Sequence, residues 1–382
     1  MTIDARPAHG KTLMVAVSMA LFCVQIDYFA MNLALPRMAS DFDSTATDLQ
    51  WIISIYMVTL GALMVPAGRL ADIFGRKRVL LIGITLFGLA SLLCAIAASV
   101  ATLVAFRALQ GVGAALIFPA SVSVITNAFP PAQSGRMIGL AYGIAGLGNA
   151  AGPLIGGLLT QTVGWRWIFA LNIPLAAACV LIGAFAISES RDTEAPRRID
   201  VAGLALLTAG IGVFTLTFDR ASVWGWWSLA TAGALTGAIA LLALFVVVER
   251  RVRWPLVDLS LARNMRFTVL VAAGSIANVA YGVTIFLSTV YLQDARGLDP
   301  LAAGLVFLGP SAGAAAGGVL SGRLAAGHPV RVMGVATILA AASLGLLAAA
   351  RDWALYVPTL TACGFTLGLV YAFTTVATQA VV

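Results

Sequence analysis

Residues 68–81 read GRLADIFGRKRVLL, and five of these fourteen positions are ionisable: Arg69, Asp72, Arg76, Lys77 and Arg78. The chain around them is 60% hydrophobic and only 10% charged over 382 residues, whereas soluble domains carry about 25% charged residues. A mean hydropathy of +0.97 places such a chain in a bilayer. Its apolar runs approach 20 residues, the length of a spanning helix, and helices satisfy their own backbone hydrogen bonds in lipid, so an all-α integral membrane protein is expected. The net charge of +7 reads as a topological bias and not as a sign of a nucleic-acid partner.

Twelve spans are expected, at about 13–35, 50–68, 79–98, 101–127, 136–160, 167–188, 200–218, 227–248, 267–291, 301–324, 330–350 and 354–380. The first is too long for a signal-peptide core and is read as a retained helix. With a cytoplasmic N-terminus, 17 of the 23 Lys and Arg residues fall in the N-terminal segment and the even-to-odd loops. Five, Arg220 among them, fall outside, and Arg107 is the one basic residue within a span. Such asymmetry sets the N-terminus inside, and it makes 68–81 a cytoplasmic loop between spans two and three.

GRLADIFGRKRV at Gly68 returns, degraded, as GRLAAGHPVRVM at Gly322, eight spans later. Parallel repeats of six helices mark transporters, and a spacing of eight implies two inserted helices. The charged linkers SESRDTEAPRRID and VERRVRWP isolate spans seven and eight as the insert. The chain then divides into a six-helix bundle (1–188), the insert (189–253) and four helices of a second bundle (254–382). By the repeat, counterparts of spans five and six do not precede Val382, so a fragment or a truncated gene is expected, with Tyr281 and the Gly-rich run 309–318 left open to lipid or to another chain.

The loop resembles the cytoplasmic signature of the major facilitator superfamily, G-x-L-x-D-x-x-G-R-[KR], at Gly68, Leu70, Asp72, Gly75, Arg76 and Lys77. IDYFAMNLALP, RALQGVGAALIFPA, GNAAGPLIGG, WRWIFALNIPLA and VWGWWS, in this order, are similar to the 14-helix multidrug:proton antiporter branch. The resemblance implies the major facilitator fold, proton-driven export and no enzyme activity. Phe29 departs from it, because a small hydroxyl residue usually stands there.

Asp27 sits about 4.5 Å past the middle of span one at 1.5 Å per residue. A charge there costs on the order of 3 kcal/mol if it meets lipid. A carboxylate held from water takes up a proton more readily, so Asp27 suits proton coupling; a permanent structural pair is the plainer alternative. Arg107, in R-x-x-Q-G with Gln110 and Gly111, either modulates that acid or snorkels to the interface. Gln25, Asn32, Tyr56, Gln110, Tyr142, Asn149, Asn278 and Tyr281 form a candidate cavity for lipophilic cations.

In span five, Gly148, Gly152 and Gly156 make a smooth ridge followed by Gly157, which suits close helix packing. Pro153 removes one helical hydrogen bond and should bend the span. The resemblance implies that this pattern accompanies exchange and that Gly68, Asp72, Gly75, Arg76 and Arg78 belong to a gating loop whose Asp72 and Arg76 latch onto the second half. Physics alone gives a plainer role, with Asp72 favouring the N-terminus of span three and the basic residues facing anionic lipid.

GLGNAA matches a dinucleotide pattern but lacks the preceding strand, and no G-x-x-x-x-G-K-[ST] occurs. His9 and His328 are too few for a catalytic or metal set, and the four cysteines read as packing. No metal or cofactor is expected; the proton gradient is the energy source, small molecules, protons and lipid are the partners, and the protein belongs to the cell membrane, with a monomer expected although the sequence leaves the oligomeric state open. A facilitator, an importer or an inactive truncated membrane protein fits the same residues.

Overall fold

The computed structural model describes residues 7–31, 34–192, 200–257, 259–298, 300–324 and 329–381. Among them are thirteen α-helices: α1 (Pro7–Met31), α2 (Leu35–Phe42), α3 (Ala46–Phe74), α4 (Arg76–Ala95), α5 (Val100–Ala128), α6 (Pro131–Thr162), α7 (Arg166–Ala186), α8 (Val201–Trp224), α9 (Leu229–Glu249), α10 (Met265–Val290), α11 (Pro300–Leu324), α12 (Pro329–Ala349) and α13 (Trp353–Val381). Each of the twelve expected spans is one of the long helices. Eleven have the length and apolarity to cross a membrane over their described residues, and α11 contributes a shorter apolar run, Ala302–Gly318.

The additional helix is α2. Span one was expected to run to 35, yet α1 ends at Met31 and a separate eight-residue helix follows. Pro36 in its first turn lacks a donor that the turn leaves unused. It closes at Asp43, whose φ is 46°. Asn32 lies outside the described residues, as do residues 325–328 of the second repeat copy, with His328, and 193–199 of the charged linker.

Residues 68–81 are not a loop. Gly68 to Phe74 complete α3, Arg76 begins α4, and Gly75 alone reverses the chain, with φ 112°. That angle is open to glycine and strained for other residues. Side chains start other helices: Asp200 accepts the Gly203 N–H before α8, Ser228 accepts the Thr231 N–H before α9, and Asn264 accepts those of Arg266 and Phe267 before α10. These are ordinary N-caps, which stabilise by about 1 kcal/mol each.

Two compact units emerge. The first joins 1–35, 125–168 and 261–382. Within it α6 packs against α1 and α11, and α13 lies against α11, α12 and α10. The Gly-rich run of α11, expected to be open to lipid or to another chain, is covered within this unit: Gly313 lies against the backbone of Phe365, and Gly318 against Gly139 of α6. Absent side chains permit these approaches. The second unit joins 36–124 and 169–260 and holds α3 against α4 and α8, with α8 and α9 as a hairpin. Trp227, in the turn of that hairpin, is fully exposed, as suits a residue at a membrane interface. These units follow packing, whereas the segments 1–188, 189–253 and 254–382 follow the sequence repeat.

Candidate functional site

In the first unit, the glycine ridge of α6 lies directly on α1. A Cβ on Gly148 would meet Gln25 and Phe22, one on Gly152 would meet Phe29 and Ala30, and one on Gly156 would lie 2.8 Å from the Ala30 Cα. Gly157 is buried beside them. Pro153 is accommodated inside a continuous α6. This approach lets the Gln25 side-chain amide donate to the Asn149 amide oxygen at 2.8 Å. Asp27, two residues on, is 1% exposed, so a carboxylate sits within protein and not in lipid. Phe29, the departure from the family pattern, packs its Cβ toward Gly152.

Tyr281 stands beside the same Asn149 side chain. Its hydroxyl makes no hydrogen bond of good geometry and is shielded from solvent. Tyr142 meets Tyr371 edge to face at 5.5 Å. Asn278 is exposed on α10. The structure therefore brings together Gln25, Asn149 and Tyr281, and leaves Asn278 apart.

The second unit holds Arg107, Gln110 and Tyr56, all 0% exposed. The Arg107 Nε donates to the Ile52 carbonyl at 3.0 Å, and Nη1 donates to the Gln110 Oε1 at 2.7 Å. Gln110 passes its own amide hydrogen to Ser91 Oγ at 2.8 Å, and Ser91 donates to the Phe87 carbonyl at 2.8 Å. The guanidinium lies 4.2 Å above the Tyr56 ring, within cation–π range. Arg107 does not snorkel; it organises α3, α4 and α5. Tyr56 and Gln110, expected to line a cavity, are enclosed around it in this conformation.

At the α3–α4 junction, Asp72 accepts from Arg76 at 3.0 Å, one turn apart. The N-terminus of α4 is not taken by Asp72, as expected from charge alone, but by Glu189. Its two oxygens accept the Lys77 and Arg78 N–H groups, each at 3.1 Å. A side chain on Gly75 would occupy the Glu189 carboxylate's place. The chain after α7 also accepts the Arg76 N–H at the Ser190 carbonyl, 2.8 Å, and donates the Asp192 N–H to the Asp72 carbonyl at 3.1 Å. Gly68 makes ordinary contact with Pro119. The junction is thus a clasp built within this unit, on a residue that no local pattern singles out.

Arg220 requires a correction. Expected in an outer loop, it lies inside α8 at 6% exposure, so Arg107 is not alone among the basic residues of the spans. Its guanidinium covers the Trp51 ring of α3 at 3.7 Å and stands 3.5 Å from Asp219, which accepts from Ser54. The group pins the inserted hairpin to α3. Removal of one partner of a buried ion pair typically costs 3–5 kcal/mol. Arg220→Ala is therefore expected to destabilise by about 3 kcal/mol, seen as a lower midpoint in thermal unfolding; an unchanged midpoint would deny the pin.

Long apolar helices that enclose carboxylate, guanidinium and amide groups define a multi-pass membrane protein. The sequence model of the Major Facilitator Superfamily matches residues 17–382, and the chain belongs to that family. It is 33% identical to the tetracenomycin C resistance and export protein of Streptomyces glaucescens, over 87% of this chain and 62% of that protein. It is 34% identical to the multidrug resistance protein Stp of Mycobacterium tuberculosis, over 96% of this chain and 69% of that protein. With the lincomycin resistance protein of Streptomyces lincolnensis it shares 36% identity, over 80% and 63%. The chain thus spans roughly two thirds of the length of these relatives. The proton:xylose symporter XylE, bound to 6-bromo-6-deoxy-D-glucose, has the same fold, with a TM-score of 0.64 at 14% identity over 97% of this chain and 81% of that one.

Proposed function

We propose that this protein is a proton-coupled antiporter of the 14-helix type, exporting small amphipathic or cationic compounds across the cell membrane by alternating access. The similarity to resistance and export proteins, which runs along 96% of the chain in one case, carries the reading. Asp27, a carboxylate enclosed within the protein on a spanning helix, supports proton coupling, because ionisable groups inside a membrane are functional by default. Gln25, Asn149 and Tyr281 present amide and aromatic surface on the same unit, chemistry that suits lipophilic cations. The Asp72–Arg76 bridge serves as the gating element of the cytoplasmic face.

Everted vesicles with an imposed pH gradient test this directly. Acidifying the lumen should drive uptake of a fluorescent lipophilic cation, and a protonophore should abolish it. Uptake indifferent to the gradient would favour a facilitator. The topology has its own check: the four native cysteines are buried, so an introduced Cys at 189–199 should react only from the cytoplasm and one at Asp43 only from outside. Reversed labelling would overturn the orientation.

A further inference from the structure

The inserted hairpin closes on two acids that the transport reading does not use. Asp200 precedes α8, and its Oδ1 accepts the Gly203 N–H at 3.0 Å. Glu249 ends α9 at 3% exposure, and its Oε1 accepts the Val257 N–H at 2.6 Å. Each carboxylate has a second oxygen, Asp200 Oδ2 and Glu249 Oε2, that is shielded from solvent and has no hydrogen-bond partner. Both oxygens converge on one place. A Cβ on Gly203 would lie 3.0 Å from Glu249 Oε2 and closer still to Asp200 Oδ2. Only a residue without a side chain leaves that space to them.

Two shielded carboxylate oxygens that border one space are acceptors without a donor, and a buried acceptor left without a donor is destabilising. Two negative charges there also repel. One proton removes both faults, since a protonated carboxyl is a donor as well as an acceptor. The helix ends decide its location. Asp200 stands at the N-terminus of α8, where a negative charge is favoured, and Glu249 at the C-terminus of α9, where it is not.

Among the described residues, the charged group bearing on Glu249 is Asp200, while the Val257 and Leu256 backbone also face it. Arg250, Arg251 and Arg253 are exposed, and Arg253 lies over Trp254. Residues 193–199 and 258 lie outside the described residues.

We propose that Asp200 and Glu249 form a proton-binding site that holds one proton, on Glu249 Oε2, and so closes the base of the α8–α9 hairpin. The site is separate from Asp27 and stands whether or not the protein exports drugs. Because the folded protein then holds a proton on Glu249 that the unfolded chain releases more readily, its stability falls as pH rises through the titration of Glu249.

Infrared difference spectra of the purified chain in lipid nanodiscs, with melting curves from acidic to alkaline pH, test the site. At neutral pH the wild type should show a carboxylic-acid band that vanishes in Glu249→Gln and also in Asp200→Asn. Glu249→Gln, whose amide donates permanently, should melt with less dependence on pH than the wild type. Gly203→Ala should lose the band by displacing the acids, whereas Gly233→Ala, with open space around it, should keep it. If Glu249→Gln fails to fold, Asp200→Asn and Gly203→Ala still decide. A band that survives Asp200→Asn, no such band at all, or melting set by sodium or potassium instead of pH would overturn the proposal.

Discussion

Asp27→Asn is expected to reduce pH-driven export to background, a loss of about 100-fold or more if the carboxyl is the group that carries the proton. The substitution keeps the shape of the side chain, replaces one carboxylate oxygen by an amide nitrogen and removes the titratable group. Asp27 is 1% exposed on α1, and a neutral amide there is no harder to enclose than a carboxylate. The variant should therefore insert and fold, with a melting midpoint at or above that of the wild type.

Those two readouts separate coupling from structure. If Asp27 were a permanent structural acid, removal of its charge would lower stability along with transport. Drug-dependent proton release, measured with a pH dye in vesicles, should vanish in the variant. Binding of the drug should persist, because Gln25, Asn149 and Tyr281 remain in place. Undiminished proton release would remove Asp27 from the mechanism.

The twelve long helices were legible because a spanning helix needs only a run of apolar residues, a property of adjacent positions. What escaped depended on distant partners. α2 is eight residues long and amphipathic, so it carries no span signal. Glu189 is one acid in a polar linker, and its work of capping α4 is visible only once α4, 112 positions earlier, lies beside it. Arg220 was placed in a loop because Asp219 and Arg220 end the apolar run, yet Trp51 and Ser54 of α3 give the pair a place inside α8.

Candidate cavity residues were chosen by polarity, which does not distinguish a lining group from a buried one. Gln25 and Asn149 do meet, while Tyr56 and Gln110 are bound up with Arg107. The glycine ridge of α6 was legible as a contact surface from its four-residue spacing, but its partner was not, since any smooth helix would answer. The structure assigns α1, the helix that carries Asp27.

That assignment makes a pair of single-methyl substitutions on α6 diverge. Gly156→Ala and Gly146→Ala each add one carbon to the same helix, and each gains about 1 kcal/mol in helix propensity. At Gly146 the new carbon meets nothing within 4 Å, so that variant should be as stable as the wild type or more so, with export intact.

At Gly156 the carbon would stand 2.8 Å from the Ala30 Cα and 2.9 Å from its carbonyl carbon. These are backbone atoms of α1, and no rotamer change moves them aside. The helices must separate, which strips contacts along the ridge at Gly152 and Gly148 and pulls Gln25 from Asn149. Overpacking of this kind costs about 1–3 kcal/mol, enough to exceed the propensity gain. Gly156→Ala should therefore lower the melting midpoint and abolish export, although it touches neither Asp27 nor any amide. Equal behaviour of the two variants in both assays would mean that α1 and α6 do not pack along this ridge.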